Sequence, residues 1–196
     1  MANVDELIPF ILHFEAGVKQ KAGEPLDKLF DRARASGFAN HPLDKGGATM
    51  VGVTLATYSQ YRRQHGYAHT TAEDLKRIPF KAWRAILKQM YWDRWRADEI
   101  RSQPIADILV DWVWASGVHG IKEPQKILGV TADGIAGAKT LAALNGYADQ
   151  QGLFDKLHNA RTSFAENIVK RNPSQRIWLN GWLRRINAIT WYGLRY

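Results

Sequence analysis

The chain has 196 residues, of which 45% are hydrophobic and 23% charged, and this composition excludes a disordered or collagen-like protein. It contains no cysteine, which excludes a disulfide scaffold, a cysteine nucleophile and thiolate metal sites. The length indicates one domain, or one domain with a small appendage. The net charge of +8 favours anionic partners such as nucleic acid, an anionic membrane surface or a bacterial cell wall.

The positive charge is concentrated near the carboxyl end. Between Arg161 and Tyr196 there are seven Lys or Arg residues and one acid, Glu166. Such a segment is either a solvated helix face or a binding surface. The first residues are acidic, and no apolar stretch has the length of a membrane span or the pattern of a signal peptide. We therefore expect synthesis in the cytoplasm and no membrane insertion.

Apolar residues recur at helical spacing along most of the chain, so the predicted fold is mainly α-helical. The predicted helices are, in chain order, residues 7–14 with Asp5 as the cap, 26–35, 54–63 capped by Thr54, 71–78 with a capping box, 79–91 opened by Pro79, 105–113, 153–168 and 177–189. Strand signals are weak and predict at most a small hairpin between Phe38 and Val53. A boundary is expected near residues 120–123, which separates residues 1–120 from a helical region, 121–196, packed on the first.

The histidines do not indicate a metal site. Only His65 and His69 have a ligand-like spacing of four residues, but Gly66 between them disfavours a helix and no acid completes the set. The chain also lacks a Gly-x-Ser-x-Gly nucleophile turn and a phosphate-binding loop. We expect neither a metal ion nor a cofactor.

One carboxyl group stands at the end of an apolar helix. Glu15 follows Ile11 and Phe14, and Ala16-Gly17 ends the helix. Burial and the helix carboxyl terminus both raise the pKa of such a carboxyl, as a general acid near neutral pH requires. The alternative is a solvated glutamate at a frayed helix end.

A second unusual stretch is the turn-rich segment from Asn40 to Thr54. Pro42 and the Gly46-Gly47 pair favour a specific turn. Asp44 and Thr49 flank that turn, where short polar side chains can hold a water molecule. A plain hairpin loop would have the same pattern.

Together these two segments resemble the signature of glycoside hydrolase family 108, lysozyme-like N-acetylmuramidases of phages and bacteria that are often called secretion activator proteins. The matching motifs are Phe-Glu15-Ala-Gly17 and Asn40-His-Pro-x-Asp44-Lys-Gly46-Gly47-Ala-Thr49-x-x-Gly52-Val-Thr54. Tyr91-Trp92 and Asp111-Trp-Val-Trp-Ala-Ser-Gly117 are similar to later family segments, and the run from Gln125 to Thr140 with Asp133-Gly134 is similar to a predicted peptidoglycan-binding domain.

The chain departs from the family pattern at four places. It has Glu15-Ala16-Gly17 where Glu-Gly-Gly is usual, and residues 16–39 form an insertion between Glu15 and the turn. The turn carries the single aspartate Asp44, and Ala115 replaces the usual asparagine.

The resemblance implies an α+β lysozyme-like fold and cleavage of the β-1,4 bond between N-acetylmuramic acid and N-acetylglucosamine in peptidoglycan. Glu15 would be the general acid, with Asp44 and Thr49 placing a water on the far face of the sugar. Carboxyl groups about 6.5–9.5 Å apart would give inversion, and a separation of about 5–5.5 Å retention. The enzyme would act on the cell wall, in the periplasm, after holin-like or other export, and would aid secretion or lysis.

The resemblance further implies substrate contacts. The implied substrate-binding residues are Gly47, Tyr58, Tyr91, Trp92 and Asp111. The three aromatic rings would stack on sugars, but aromatic residues at helical spacing are more often part of the core.

Three other functions stay open from the sequence. A non-catalytic cell-wall binding protein would keep the Asp133 motif without needing Glu15. A lytic transglycosylase would share the fold and the acid but form anhydro products. A nucleic-acid binder would explain the basic end with Trp178, Trp182 and Trp191, but no nucleic-acid motif occurs, so nucleic acid is not the expected partner.

Overall fold

A computed structural model describes residues 1–40 and 47–196. Its contacts divide the chain into two compact units. The N-terminal unit comprises Asp5–Met90, and the C-terminal unit comprises Met1–Val4 with Tyr91–Tyr196. Helices dominate both, and within the described residues strands occur only as short antiparallel pairs, which confirms the predicted mainly α-helical class.

The N-terminal unit contains five helices and three short strands within its described residues. They are α1 (Val4–Ala16, whose first residue belongs to the other unit), α2 (Leu26–Ser36), β1 (Phe38–Ala39), β2 (Thr49–Met50), β3 (Val53–Thr54), α3 (Leu55–Gln64), α4 (Ala72–Lys76) and α5 (Phe80–Leu87). A π-helical turn, Lys88–Trp92, then joins the two units.

The C-terminal unit is built around one buried helix, α6 (Gln103–Ser116). The other elements are 3-10 turns at Asp93–Trp95, Ala97–Glu99 and Pro173–Gln175, helices α7 (His119–Ile127), α8 (Ala138–Asn145), α9 (Gln150–Arg171) and α10 (Arg176–Asn187), and strands β4 (Ile189–Thr190) and β5 (Gly193–Leu194). In the described residues, no helix is both long and apolar enough to cross a membrane.

Between Leu7 and Leu12, helix α1 is apolar on every side and is buried accordingly, with Leu7, Ile8 and Phe10 fully inaccessible. The expected cap at Asp5 is wrong, because the helix begins one residue earlier and the Asp5 carboxylate accepts a hydrogen bond of 2.6 Å from Arg84 Nε. The helix ends where predicted. Gly17 has φ +69° and donates its N–H to His13 O at 2.8 Å, a helix end that favours glycine.

The three-stranded sheet has the order β1–β2–β3, which confirms the predicted hairpin and adds one strand. Val51 and Gly52 join β2 to β3 with φ +48° and +75°, as a two-residue turn requires. A left-handed valine is strained, and its backbone is fixed on both sides. Val51 O accepts a bond of 3.0 Å from Trp83 Nε1, and Val51 N–H donates to Gly37 O at 2.9 Å.

The local start signals of the next helices act as the sequence predicts. The Thr54 hydroxyl accepts the N–H of Thr57 at the start of α3. Thr71 and Asp74 form a reciprocal capping box on α4, and these hydrogen bonds with that of Arg62 lower the pKa of Asp74 to about 2. Each cap satisfies helix N–H groups that would otherwise lack a partner.

The residues of the Asp133 motif form a turn that is held by hydrogen bonds to the buried side chain of Gln125. Gln125 Nε2 donates to Asp133 Oδ1 at 2.8 Å and to Thr140 Oγ1 at 3.3 Å, while Gly134 N–H donates to Gln125 Oε1 at 2.9 Å. The N–H of Ile135 and then Gln125 hold the pKa of Asp133 below its usual value. The motif residues therefore bond to one another and shape the loop that leads into α8.

Candidate functional site

Glu15 lies in the last turn of α1 and is half-buried. The buried helix fixes its backbone, and the left-handed Gly17 stops the helix two residues later. A carboxyl in this position is reachable from solvent at one side and bordered by protein at the other. This is the placement expected of Glu15 from the sequence, while its chemical role remains a prediction.

Thr49 occupies the middle strand of the N-terminal sheet. It pairs with Ala39 on β1 and with Thr54 on β3, so its backbone is held from both sides. Gly47, two residues before it, has φ +69°, a conformation that favours glycine. Asp44 lies outside the described residues, in the segment that connects β1 and β2.

The insertion at residues 16–39 is ordered by its own ion pair. Glu24 accepts hydrogen bonds from Arg32 Nε at 2.8 Å and from Lys21 N–H at 3.0 Å. These bonds, that of Arg32 first, lower the pKa of Glu24 to about 2. The second half of the insertion is α2, which packs through Phe30 against Trp83 at 5.4 Å. Glu24 therefore serves the structure of the insertion.

The three aromatic candidates lie at different depths. Trp92 is fully buried, and its Nε1–H donates a hydrogen bond of 2.8 Å to Asp98 Oδ1. The prediction that its ring stacks on a sugar at the surface is therefore wrong, and Trp92 is part of the core. Tyr58 is also buried, which raises its pKa, although it lines an open cleft beside Tyr67. Tyr91 is half-buried and packs on Trp114 with ring centroids 4.6 Å apart.

Asp111 is the centre of a buried ion triad. It is fully inaccessible, and its carboxylate accepts hydrogen bonds of 2.6 Å from Arg161 Nη2 and 2.7 Å from Arg185 Nη2. Burial alone would raise the pKa of Asp111, but the charges and hydrogen bonds of Arg185 and Arg161 outweigh burial and lower it. The expected substrate contact of Asp111 is therefore wrong in this structure, because both oxygens are engaged by arginines.

The basic end of the chain is less uniform than its composition suggests. Arg161 and Arg185 are turned inward to Asp111, at 4% and 14% side-chain exposure. Trp191 packs near Phe154, and Trp178 stands out at 56% exposure. The exposed cations and aromatic rings of this end are therefore divided between the start of α10 with the residues just before it, and the last residues of the chain, where Arg184, Tyr192 and Arg195 are exposed.

Sequence reasoning missed the two arginines of the triad. Arg161 falls between Leu157 and Ala165 on the apolar stripe of α9, and Asp111 interrupts the most apolar segment of the chain. Opposite charges placed in two apolar stripes are the signal that could have predicted the pair, because buried charges need partners. No cluster of metal-ligating side chains occurs within the described residues.

Two family models match consecutive parts of the chain. Residues 32–117 match Glycosyl hydrolase 108, and residues 119–187 match the Predicted Peptidoglycan domain. The first match begins after Glu15, so it covers the sheet and Thr49 but not the expected acid. The second match spans α7 to α10 and includes the Asp133 turn.

Among solved structures, Brucella abortus SagA is similar to the chain, with 28% sequence identity and a TM-score of 0.59. The similarity covers 78% of this chain and 87% of that one. A search of curated proteins gave no match. Residues 32–117 therefore match glycosyl hydrolase family 108 and are followed by a match to a predicted peptidoglycan domain, and together these two matches show that the protein is a peptidoglycan hydrolase of the muramidase type.

Proposed function

We propose that Glu15 is the general acid that protonates the glycosidic oxygen between N-acetylmuramic acid and N-acetylglucosamine. The observation that carries the proposal is the position of Glu15, a half-buried carboxyl at the end of a helix whose middle is buried, in a glycosyl hydrolase. Such a carboxyl is held in place by the helix and can still reach a substrate oxygen, as a general acid must.

We further propose that Asp44 and Thr49 hold the water that attacks the anomeric carbon. Thr49 is suited to this role because its strand is paired on both edges and followed by the strained turn at Val51. Rigid placement of a water-holding hydroxyl lowers the entropic cost of reaching the transition state. Asp44 would supply the carboxylate that makes the water nucleophilic.

The two sequence regions would divide the work. We propose that residues 1–120 carry the hydrolytic chemistry and that residues 121–196 bind the wall. Tyr58 and Tyr91 are the ring candidates that retain access to a cleft or to solvent, so sugar contacts are assigned to them rather than to Trp92.

The test compares Glu15→Gln with Glu6→Gln, an exposed glutamate in the first turn of the same helix. Glu15→Gln should lower the rate of peptidoglycan clearing by roughly 10²–10⁴, because general-acid catalysis is lost. Both variants should have a free energy of unfolding within about 1 kcal/mol of that of the parent, because neither substitution changes the volume of the side chain much. Equal clearing by Glu15→Gln and the parent would show that Glu15 is not the acid.

Mass spectrometry of the digested peptidoglycan separates the remaining alternatives. Reducing muramic acid ends support hydrolysis as proposed. Anhydromuramic ends would instead indicate a lytic transglycosylase, and intact glycan with the protein bound would indicate a non-catalytic binder. Either of these two results overturns the proposed mechanism.

A further inference from the structure

A cleft of about 120 Å³ lies inside the C-terminal unit, between α6, α9 and α10. Its walls are largely apolar and include the rings of Phe164 and Trp182. Arg161, Arg185 and Trp112 also line it. Nothing in the catalytic proposal uses this cleft, although it falls within the matched peptidoglycan domain and the helix that precedes it.

Trp112 carries a buried hydrogen-bond donor without an acceptor. Its indole Nε1 has no hydrogen-bond partner within the described residues. The other fully buried indoles are satisfied, since Trp83 donates to Val51 O, Trp92 to Asp98 Oδ1 and Trp95 to Gly120 O. A buried donor without a partner is rare in native proteins and points to a missing acceptor.

The polar side chains of the cleft select an anionic acceptor. Two guanidinium groups line it, and they share the single carboxylate of Asp111. No acidic side chain lines the cleft in the part of the chain that the structure describes. A carboxylate can accept from an indole N–H and from guanidinium N–H groups together, and charge strengthens each of those hydrogen bonds.

The volume limits what can enter. A cavity of about 120 Å³ has room for roughly four waters, and one of about 150 Å³ is known to hold a benzene ring of six heavy atoms. An alanyl carboxylate with its methyl and amide nitrogen also has six heavy atoms. A complete N-acetylated pyranose is more than twice as large and would not fit.

We propose that this cleft binds the carboxylate end of a D-alanyl residue of the peptidoglycan peptide stem, with the methyl group against Phe164 and Trp182. This inference rests on peptidoglycan being the partner of the C-terminal region. It assigns the peptide stem to a cleft of the C-terminal unit, whereas the glycan strand is left to the residues around Glu15 and Thr49. The ligand carboxylate accepts hydrogen bonds from Trp112 Nε1 and from the guanidinium groups of Arg161 and Arg185 that line the cleft.

The test follows the indole N–H signals of the full ¹⁵N-labelled chain by NMR, with Trp112→Phe used to assign the Trp112 signal. N-acetyl-D-alanyl-D-alanine should shift that signal downfield with a Kd on the order of 1 mM, as suits so small a group. Its C-terminal amide should bind about tenfold or more weakly, because it lacks the charge.

A second variant tests the location. Ala115→Leu fills the cleft from its exposed rim without touching the ion triad, and it should abolish the shift, whereas Ala142→Leu on α8 should leave the shift unchanged. No shift with the acid, or an equal shift with the amide or with N-acetylglucosamine, refutes the inference. Peptidoglycan cleavage by the unmodified protein is measured in parallel, so a failed titration beside normal cleavage refutes only the stem site.

Discussion

The Asp111 triad gives the sharpest test of the C-terminal unit. Asp111→Asn keeps the shape of the side chain but leaves the guanidinium groups of Arg161 and Arg185, at 4% and 14% exposure, without their shared charge. Removing one partner of a buried ion pair costs about 3–5 kcal/mol. At roughly 2–4 °C per kcal/mol for a chain of this size, the melting temperature should fall by about 6–20 °C.

The measurement is a thermal melt followed by circular dichroism and by calorimetry. Asp155→Asn, an exposed aspartate on α9, is the matched control and should change stability by less than about 0.5 kcal/mol. Replacing all three charges, with Asp111→Leu, Arg161→Met and Arg185→Met, should recover most of the lost stability, because no uncompensated charge remains. A melting temperature of Asp111→Asn within about 2 °C of the parent would refute the assignment.

The pH dependence supplies an independent check on the same carboxylate. The folded-state pKa of Asp111 is lowered below its usual value of 3.8. Its contribution is therefore fully present above that usual value and is lost as the pH falls through the lower folded pKa. The difference in stability between the parent and Asp111→Asn should be largest near neutral pH and should narrow below about pH 4. If the difference in stability between the parent and Asp111→Asn stays constant down to strongly acidic pH, the pKa of Asp111 does not shift in this way on folding.

Two further predictions concern the hydrolytic residues and the cationic surface. Asp44→Asn and Thr49→Ala should each lower turnover on peptidoglycan by less than Glu15→Gln does, because a water held by two groups is only partly lost when one group goes. An Asp44→Asn variant with full turnover would contradict the proposed water site. Arg171→Glu with Arg176→Glu should weaken adsorption to intact walls and reduce its salt dependence, since charges about 10 Å apart are screened at 0.1 M salt. Hydrolysis of short soluble muramyl oligomers should hardly change, and an equal loss on both substrates would contradict a role in adsorption.

Reversing the charges of the adjacent residues Arg184 and Arg185 on α10 would be a poor test of adsorption, because Arg185 belongs to the buried triad. Arg185 is bound to Asp111 through Nε and Nη2, so its reversal would place a carboxylate against a buried carboxylate. Any loss of activity would then report on folding. Arg171 and Arg176 are exposed and give a cleaner comparison.

Local signals predicted the elements that local chemistry determines. The caps at Thr54 and Thr71, the stop at Gly17 and the opening at Pro79 depend on groups within four residues of one another, and each is found where expected. Helix α7 was missed because Gly120 and Pro124 interrupt its pattern. Gly120 is required by tertiary packing, since a Cβ there would lie 2.5 Å from Val113 N on α6.

The candidate site divides along the same line. Glu15 and Thr49 owe their placement to a helix end and a hairpin, which are short-range features, so the sequence could locate both. The burial of Asp111 depends on its ion pairs with arginines 50 and 74 residues further along the chain, and no local pattern encodes such contacts. What the sequence does encode is the anomaly, an acid in one apolar stripe and a base in another. Because an isolated charge would not be buried at equilibrium, an acid and a base that both lie in apolar stripes of one small core are expected to pair with each other.

The same argument separates the two kinds of carboxyl in this chain. A carboxyl in an apolar setting is structural when a cation of matching burial exists, as for Asp111, and is a candidate for chemistry when it stands at the edge of the core, as Glu15 does.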